Sequence, residues 1–272
     1  MKILTANIAF GMPEMDRLGA NIRAHLAIHG SKVFLHTFVP WLRGRLANAD
    51  VADGDYIRRK TDLSPTIALI RKLSPDILVL NEVLHDTHKD EIERALRGQG
   101  FSTIAWGLGG HYPSMRISTV IATKAAGEII PCDMPQQPSM GGGAGCAQIQ
   151  LPDGIAIIGV HLGNGIPKLI KRQVHALATT TASALSHGHR AILAGDFNVS
   201  ASYMQTFEEF KALSLVAADG DRLLTCPTFL PFRKPLDHIF VPTSMEVTSI
   251  ESLTFGSDHL AVCAEVTSSI GE

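Results

Sequence analysis

The run Leu193-Ala-Gly-Asp-Phe-Asn198 sets a carboxylate and a carboxamide two residues apart at the end of an apolar stretch. Residues i and i+2 of an extended chain share a face, so Asp196 and Asn198 are expected to point the same way from a strand's carboxyl end. A carboxylate there can take a proton or hold a metal, and a neighbouring amide can donate to an oxygen. Together they suit work on phosphate. Gly-Asp-x-Asn is also good turn chemistry, so the pair gains meaning only in company.

That company exists. Asn7 closes the first apolar stretch, and Glu82 closes the run that begins Ile77-Leu-Val-Leu. His161 closes Ile157-Ile-Gly-Val, Asp237 interrupts Pro235-Leu-Asp-His-Ile-Phe240, and Ser257-Asp258-His259 precedes the last apolar run. Each alone reads as a turn former, a core histidine or a surface acid. Repeated at one boundary after another, they read as polar groups carried on the ends of a rigid scaffold, where catalytic residues concentrate.

The elements that must carry them follow from periodicity. Residues 2–8 alternate, and 76–82 are apolar enough to be buried on both faces. Further strands are expected at 117–123, 146–151, 154–161, 190–194, 236–241 and 261–266. Ser64-Pro65 opens a helix to about Leu73, Asp86 or Thr87 caps another to Leu96, and Pro167 begins a longer one through Leu185. This mixture predicts sheet packed on sheet with helices outside.

Residues 12–62 break the alternation. Leu35, Val39, Leu42 and Leu46 follow helical spacing, Phe34, Phe38 and Trp41 line a neighbouring face, and Pro40 bends or divides the segment. Arg43, Arg45, Arg58, Arg59 and Lys60 follow. The segment reads as a helical insert packed on the domain. A substrate lid or a patch resting on a membrane surface is the functional alternative.

The 272 residues, 45% hydrophobic and 18% charged, describe a globular chain with a substantial core. A net charge of -2 argues against a surface built throughout for coating nucleic acid, although the N-terminal quarter is net basic. Cys132, Cys146, Cys226 and Cys263 form no C-x-x-C pair. With neither a secretory apolar region at Met1–Ile8 nor a run long enough to span a bilayer, the expectation is a soluble cytoplasmic protein with reduced thiols. Gly141–Gly145 leads into a strand rather than a Lys-Ser/Thr helix, so it is neither a P-loop nor a dinucleotide fingerprint. His187-Gly-His189 and the pair His25/His29 lack the partners of a zinc motif.

In order and type, Asn7, Asn81-Glu-Val83, Val160-His-Leu162, Gly195-Asp-Phe-Asn198, Leu236-Asp-His-Ile-Phe240 and Ser257-Asp-His259 resemble the motifs of the endonuclease/exonuclease/phosphatase superfamily, the deoxyribonuclease I-like fold. The resemblance covers essentially the whole chain except the insert at about 12–62, and implies one domain over 1–272 that carries that helical insert. It implies a four-layer α/β/β/α sandwich (α+β), with two mainly antiparallel sheets face to face. It also implies hydrolysis of phosphate esters with a divalent metal, usually Mg2+, for which Mn2+ is the expected substitute. Carried over, Glu82 is the main metal ligand, with Asn7 nearby and Asp258 in support. Asp196 orients or deprotonates the attacking water, and Asn198 holds phosphate and water. His161 and His259 donate to phosphoryl oxygens, and Asp237 orients His259.

The first reading is a phosphodiesterase working by in-line attack of an activated water. Nucleic acid, a phospholipid headgroup or a small phosphorylated metabolite is the expected substrate, and no obligate protein partner is inferred. Peripheral membrane contact through the insert belongs to the lipid alternative. A non-catalytic binding module keeping the fold is the rival. It predicts loss of at least one motif position, and all are present.

Overall fold

Strands that are apolar on both faces need cover on both sides, and four layers supply it. The computed structural model describes residues 1–9, 61–112, 115–136, 145–163, 167–227 and 233–268. The expected insert at 12–62 falls almost wholly outside them, as does most of the Gly141–Gly145 loop.

The first half of the chain runs β1 (Lys2–Asn7), α1 (Ser64–Leu73), β2 (Ile77–Leu84), α2 (His85–Arg97), β3 (Thr103–Tyr112) and β4 (Met115–Thr123). Next come β5 (Glu128–Ile130), β6 (Gly145–Gln150), β7 (Ile155–His161), α3 (Pro167–Ser186) and β8 (Arg190–Asp196). The short helices α4 (Ala201–Met204) and α5 (Glu208–Lys211) precede β9 (Leu215–Ala217), β10 (Cys226–Pro227) and β11 (Arg233–Lys234). The chain ends with β12 (Asp237–Pro242), β13 (Met245–Leu253) and β14 (Ala261–Ser268).

One sheet has the order β13-β14-β1-β2-β4-β3 and the other β5-β6-β7-β8-β12-β9, with β10 and β11 paired apart. Neighbours are antiparallel except β1 with β2 and β7 with β8. The mainly antiparallel sandwich is therefore as expected. Period-two alternation deals successive side chains to different layers. Ile3, Val79, Ile157 and Ile192 meet between the sheets. Their neighbours Leu4 and Leu78 pack under α1 and α2 with Ile70 and Ile92. Ile158 and Leu193 pack on the other side against Val174 and Leu177 of α3.

The two parallel pairs place the chemistry. A parallel pair needs a crossover, which lies along the 8–76 stretch in one sheet and in α3 in the other. Both strands of each pair then end at the same edge, bringing Asn7 beside Asn81-Glu82 and His161 beside Asp196. Gly195 has φ +146, and a Cβ there would stand 1.9 Å from the Val160 carbonyl oxygen. The glycine before Asp196 is thus a condition for β7 and β8 to run side by side to the site.

Cys132 and Cys146 form a disulfide with Cα atoms 5.7 Å apart. This corrects the expectation of reduced thiols, and with it one support for a cytoplasmic location, because such bonds persist in oxidising surroundings. Among the described residues, no helix is long and apolar enough to cross a membrane. The bond joins the lead-in of a loop to the start of β6, which pairs with the His161 end of β7. Partners 14 residues apart correspond to about 3 kcal/mol of loop-closure entropy removed from the unfolded chain. Cys132→Ser is expected to lower the urea-unfolding free energy of the oxidised protein by about 2–4 kcal/mol. A loss below about 1 kcal/mol would show that the bond contributes little.

Candidate active site

Glu82 sits where the β2–β4 register shifts between Leu80 and Val83, and its φ is +57. A bulge of this kind re-aims a side chain, and a left-handed non-glycine residue is held only where its surroundings enforce it. Asn198 has φ +54 two residues beyond the end of β8. Its backbone N–H donates to Asp196 Oδ1 at 2.8 Å, and its Nδ2 donates to the Leu162 carbonyl at 2.7 Å. The period-two expectation for Asp196 and Asn198 is thereby corrected. The strand stops at Asp196, and turn chemistry brings the Asn198 backbone N–H to the carboxylate while its carboxamide turns to Leu162.

The expected residues meet at one edge of the sandwich. Asn7 Nδ2 donates to Asp196 Oδ2 at 2.9 Å, across the two sheets. Asp237 lies opposite Asp196 in the β8–β12 register, and its Oδ2 is 2.7 Å from His259 Nδ1. His161 Nε2 stands 3.7 Å from Asp196 Oδ2 and 3.9 Å from Glu82 Oε1. The Ser257 hydroxyl donates to the Asn7 carbonyl at 2.6 Å and accepts the His259 N–H at 3.2 Å, which pins the last motif to the first strand. Asp258 acts on Glu82 through its charge.

Burial and crowding set the protonation states. Burial and the charge of Asp258 push Glu82 up to about 8, against the opposing pull of His259 and the Asn7 hydrogen bond. Asp196 is also raised, by burial and then by Asp237. Burial lowers His161 against the opposing charge of Asp196 and so favours its neutral form. Burial would lower His259 too, but the charge of Asp237 and the hydrogen bonds to Asp237 and the Cys226 thiol hold it well above its usual value. An imidazolium on Asp237 therefore stands beside carboxylates that resist ionising.

This donor set suits a divalent cation. Glu82, His161 and Asp196 present ligand atoms within 4.8 Å of one another, as do Asp196, Asp237 and His259. Asp237 Oδ1 and His161 Nδ1 are buried without a hydrogen-bond partner. Glu82 keeps 22% of its side chain exposed, enough for an ion to reach it. Carboxylate oxygens that repel one another while facing a shared space are relieved by a hard cation.

The fold is a two-sheet sandwich with acidic and histidine side chains gathered at one edge. The Endonuclease/Exonuclease/phosphatase family model matches residues 4–259, and the chain belongs to that family. The fold is shared with a family protein from Leptotrichia buccalis (TM-score 0.63, 14% identity, covering 98% of this chain and 99% of that one). It is likewise shared with a 3'-5' exonuclease, NExo, from Neisseria meningitidis (TM-score 0.61, 18% identity, 97% and 99%). The human Nocturnin catalytic domain aligns at TM-score 0.57 and 18% identity over 75% and 85%. A comparison with curated protein sequences finds no match.

Two polar residues at the site's base escaped the sequence reading. Asn81 lies within a quoted motif yet was overshadowed by Glu82. His238, fully buried beside Asp237, has Asp219 Oδ1 at 3.3 Å from Nδ1 and the Val199 and Pro235 carbonyls at 3.1 and 3.0 Å from Nε2. Each follows an apolar run by one residue more or less than a recognised site residue, so spacing alone does not separate them.

The raised Glu82 carries a stability consequence. A group whose folded value exceeds its unfolded one contributes stability below the unfolded value and loses it as pH rises through the folded one. In chelator-treated protein, the melting temperature is expected to fall as pH climbs from 4.5 to about 8. Glu82→Gln should flatten that fall. Parallel melting curves for both proteins across this range would remove Glu82 as its source.

Proposed function

We propose that this chain hydrolyses a phosphodiester with the help of a divalent cation, by in-line attack of a water molecule. The observation that carries the reading is the convergence of the Asp237–His259 pair, Asp196 and Glu82 on one sheet edge. Mg2+, with Mn2+ as substitute, held by Glu82 with Asn7 and Asp258, would neutralise phosphoryl oxygens.

The remaining chemistry belongs to side chains. Asp196 is oriented from two sides, by Asn7 Nδ2 and the Asn198 N–H, and serves as acceptor for the proton of the attacking water. His259, its Nδ1 committed to Asp237, offers Nε2 to an oxygen on which negative charge builds. Neutral His161 adds a second donor between Glu82 and Asp196. Asn198 spends one Nδ2 proton on Leu162 and keeps the other for phosphate or water.

The relatives' descriptions support phosphate esters as the substrate class. The Neisseria protein is described as a 3'-5' exonuclease and, bound to a product DNA hairpin, as a 3' phosphatase. A Bacteroides thetaiotaomicron protein of the same fold is described as a mannosyl-6-phosphatase. Nucleic acid is thus the leading substrate. A lipid headgroup would draw its support from the basic, apolar segment at 12–62. The family match runs across that segment, which supports one domain with an insert there.

Hydrolysis of a chromogenic diester, plasmid DNA, short RNA, sphingomyelin-type lipid and sugar phosphates, with Mg2+ and with chelator, tests the reading. Mg2+-dependent turnover of at least one diester is expected, and none on any would refute it. Asp196→Ala should lower turnover by about 10²–10⁴, the size of lost acid-base assistance. His259→Gln should slow turnover while leaving Mg2+ affinity unchanged. A variant of Asp196 keeping more than half the wild-type rate would take that residue out of the mechanism.

A further inference from the structure

The catalytic groups are divided between two sheets. Asn7 and Glu82 belong to the first sheet, with Asp258 and His259 leading into its β14, whereas His161, Asp196 and Asp237 belong to the second. Over most of their area the sheets touch through aliphatic side chains such as Ile3, Val79, Ile157 and Ile192. Such contact is non-directional, so it sets the separation of the sheets more firmly than their slip past each other. A site assembled across the gap needs a directional tie near the chemistry.

Asn81 supplies one. It is fully buried, and its side chain crosses from β2 to the second sheet. Asn81 Oδ1 accepts the backbone N–H of Asp196 at 2.9 Å. Its Nδ2 donates to the Val160 carbonyl at 2.9 Å and to Thr119 Oγ1 at 3.0 Å. The Thr119 hydroxyl in turn donates to the Gly145 carbonyl on β6, at 3.3 Å. One side chain therefore holds the backbone of Asp196 and of the residue preceding His161, from a position directly before Glu82. Glu82 itself is in the left-handed region at a bulge, a conformation its surroundings must enforce.

We propose that Asn81 is a positioning residue that sets the spacing of Glu82 from Asp196 and His161 by cross-linking the two sheets. The proposal rests on the phosphodiesterase reading for its effect on turnover, but its geometric content stands apart from it. Partners that orient a metal ligand from behind are worth about 10–100-fold in metal affinity or activity when removed.

The test compares wild type with Asn81→Ala and Asn81→Asp. The aspartate keeps an acceptor for the Asp196 N–H but loses both donors. Amide hydrogen exchange, calorimetric Mn2+ affinity, and kcat and KM on a chromogenic diester are read on protein shown folded by circular dichroism. In Asn81→Ala, the Asp196 amide should exchange about 100-fold faster while Ile192, mid-strand in β8, is unchanged. Mn2+ affinity should weaken about tenfold, and kcat should fall about 10–100-fold with KM within about twofold. Asn81→Asp should retain protection of the Asp196 amide yet still lose Mn2+ affinity and kcat.

Folded Asn81→Ala with Mn2+ affinity and kcat within about twofold of wild type would overturn the proposal. So would a fall in kcat with Mn2+ affinity untouched, because the spacing of the metal-facing groups would then not depend on Asn81. Should Asn81→Ala fail to fold, Asn81→Asp decides by the same criteria. A wild type that binds Mn2+ but cleaves no diester defeats the functional reading alone, and the exchange and Mn2+ comparisons still decide the role of Asn81.

Discussion

Carboxylates confined to a low-dielectric edge repel one another, and most of this structure's working parts answer to that repulsion. Glu82 and Asp196 are both pushed toward their neutral forms by burial and by neighbouring acids. His259 offsets part of the charge from its hydrogen bond to Asp237, and Asn7 and Asn198 donate to Asp196 from two sides. What remains unbalanced is the space between Glu82, His161 and Asp196, whose ligand atoms lie within 4.8 Å of one another and could accept a divalent ion. An arrangement costly without a cation and relieved by one gives binding its driving force.

The scaffold makes such crowding possible by concentrating strand ends. Each sheet contains one parallel pair, and each pair delivers two polar residues to the same edge. The antiparallel neighbours β12 and β14 bring Asp237 and the Ser257–His259 turn to meet them. Thr225 joins the set from outside the sheets. Its hydroxyl accepts the N–H of Leu236 and of Asp237. Polar side chains thus register what the aliphatic core leaves free to slide.

Much of this was legible in local sequence, and the rest was not for a common reason. Strands with two apolar faces, such as 76–82 and 190–194, announce themselves through composition, and the polar residues at their ends mark the site. β13 was missed because it is an edge strand whose Glu246, Ser249 and Glu251 face solvent, so no apolar pattern reveals it. β3 was missed because glycines at 107, 109 and 110 dilute its alternation, and Gly107 is needed where the sheets close to 2.0 Å from a would-be Cβ. The Cys132–Cys146 bond and the contacts of Asn81 depend on which strands become neighbours across the fold. Periodicity within a segment carries no record of that.

Calorimetric titration of chelator-stripped protein with Mg2+, repeated across pH and in buffers of differing ionisation enthalpy, tests the central claim most directly. If burial and the charge of Asp258 keep Glu82 protonated, binding must expel that proton. Affinity should then tighten as pH rises toward 8, with about one proton released per ion near neutrality. Saturable binding whose affinity ignores pH, or no binding at all, would contradict the claim that these carboxylates are gathered to hold a cation.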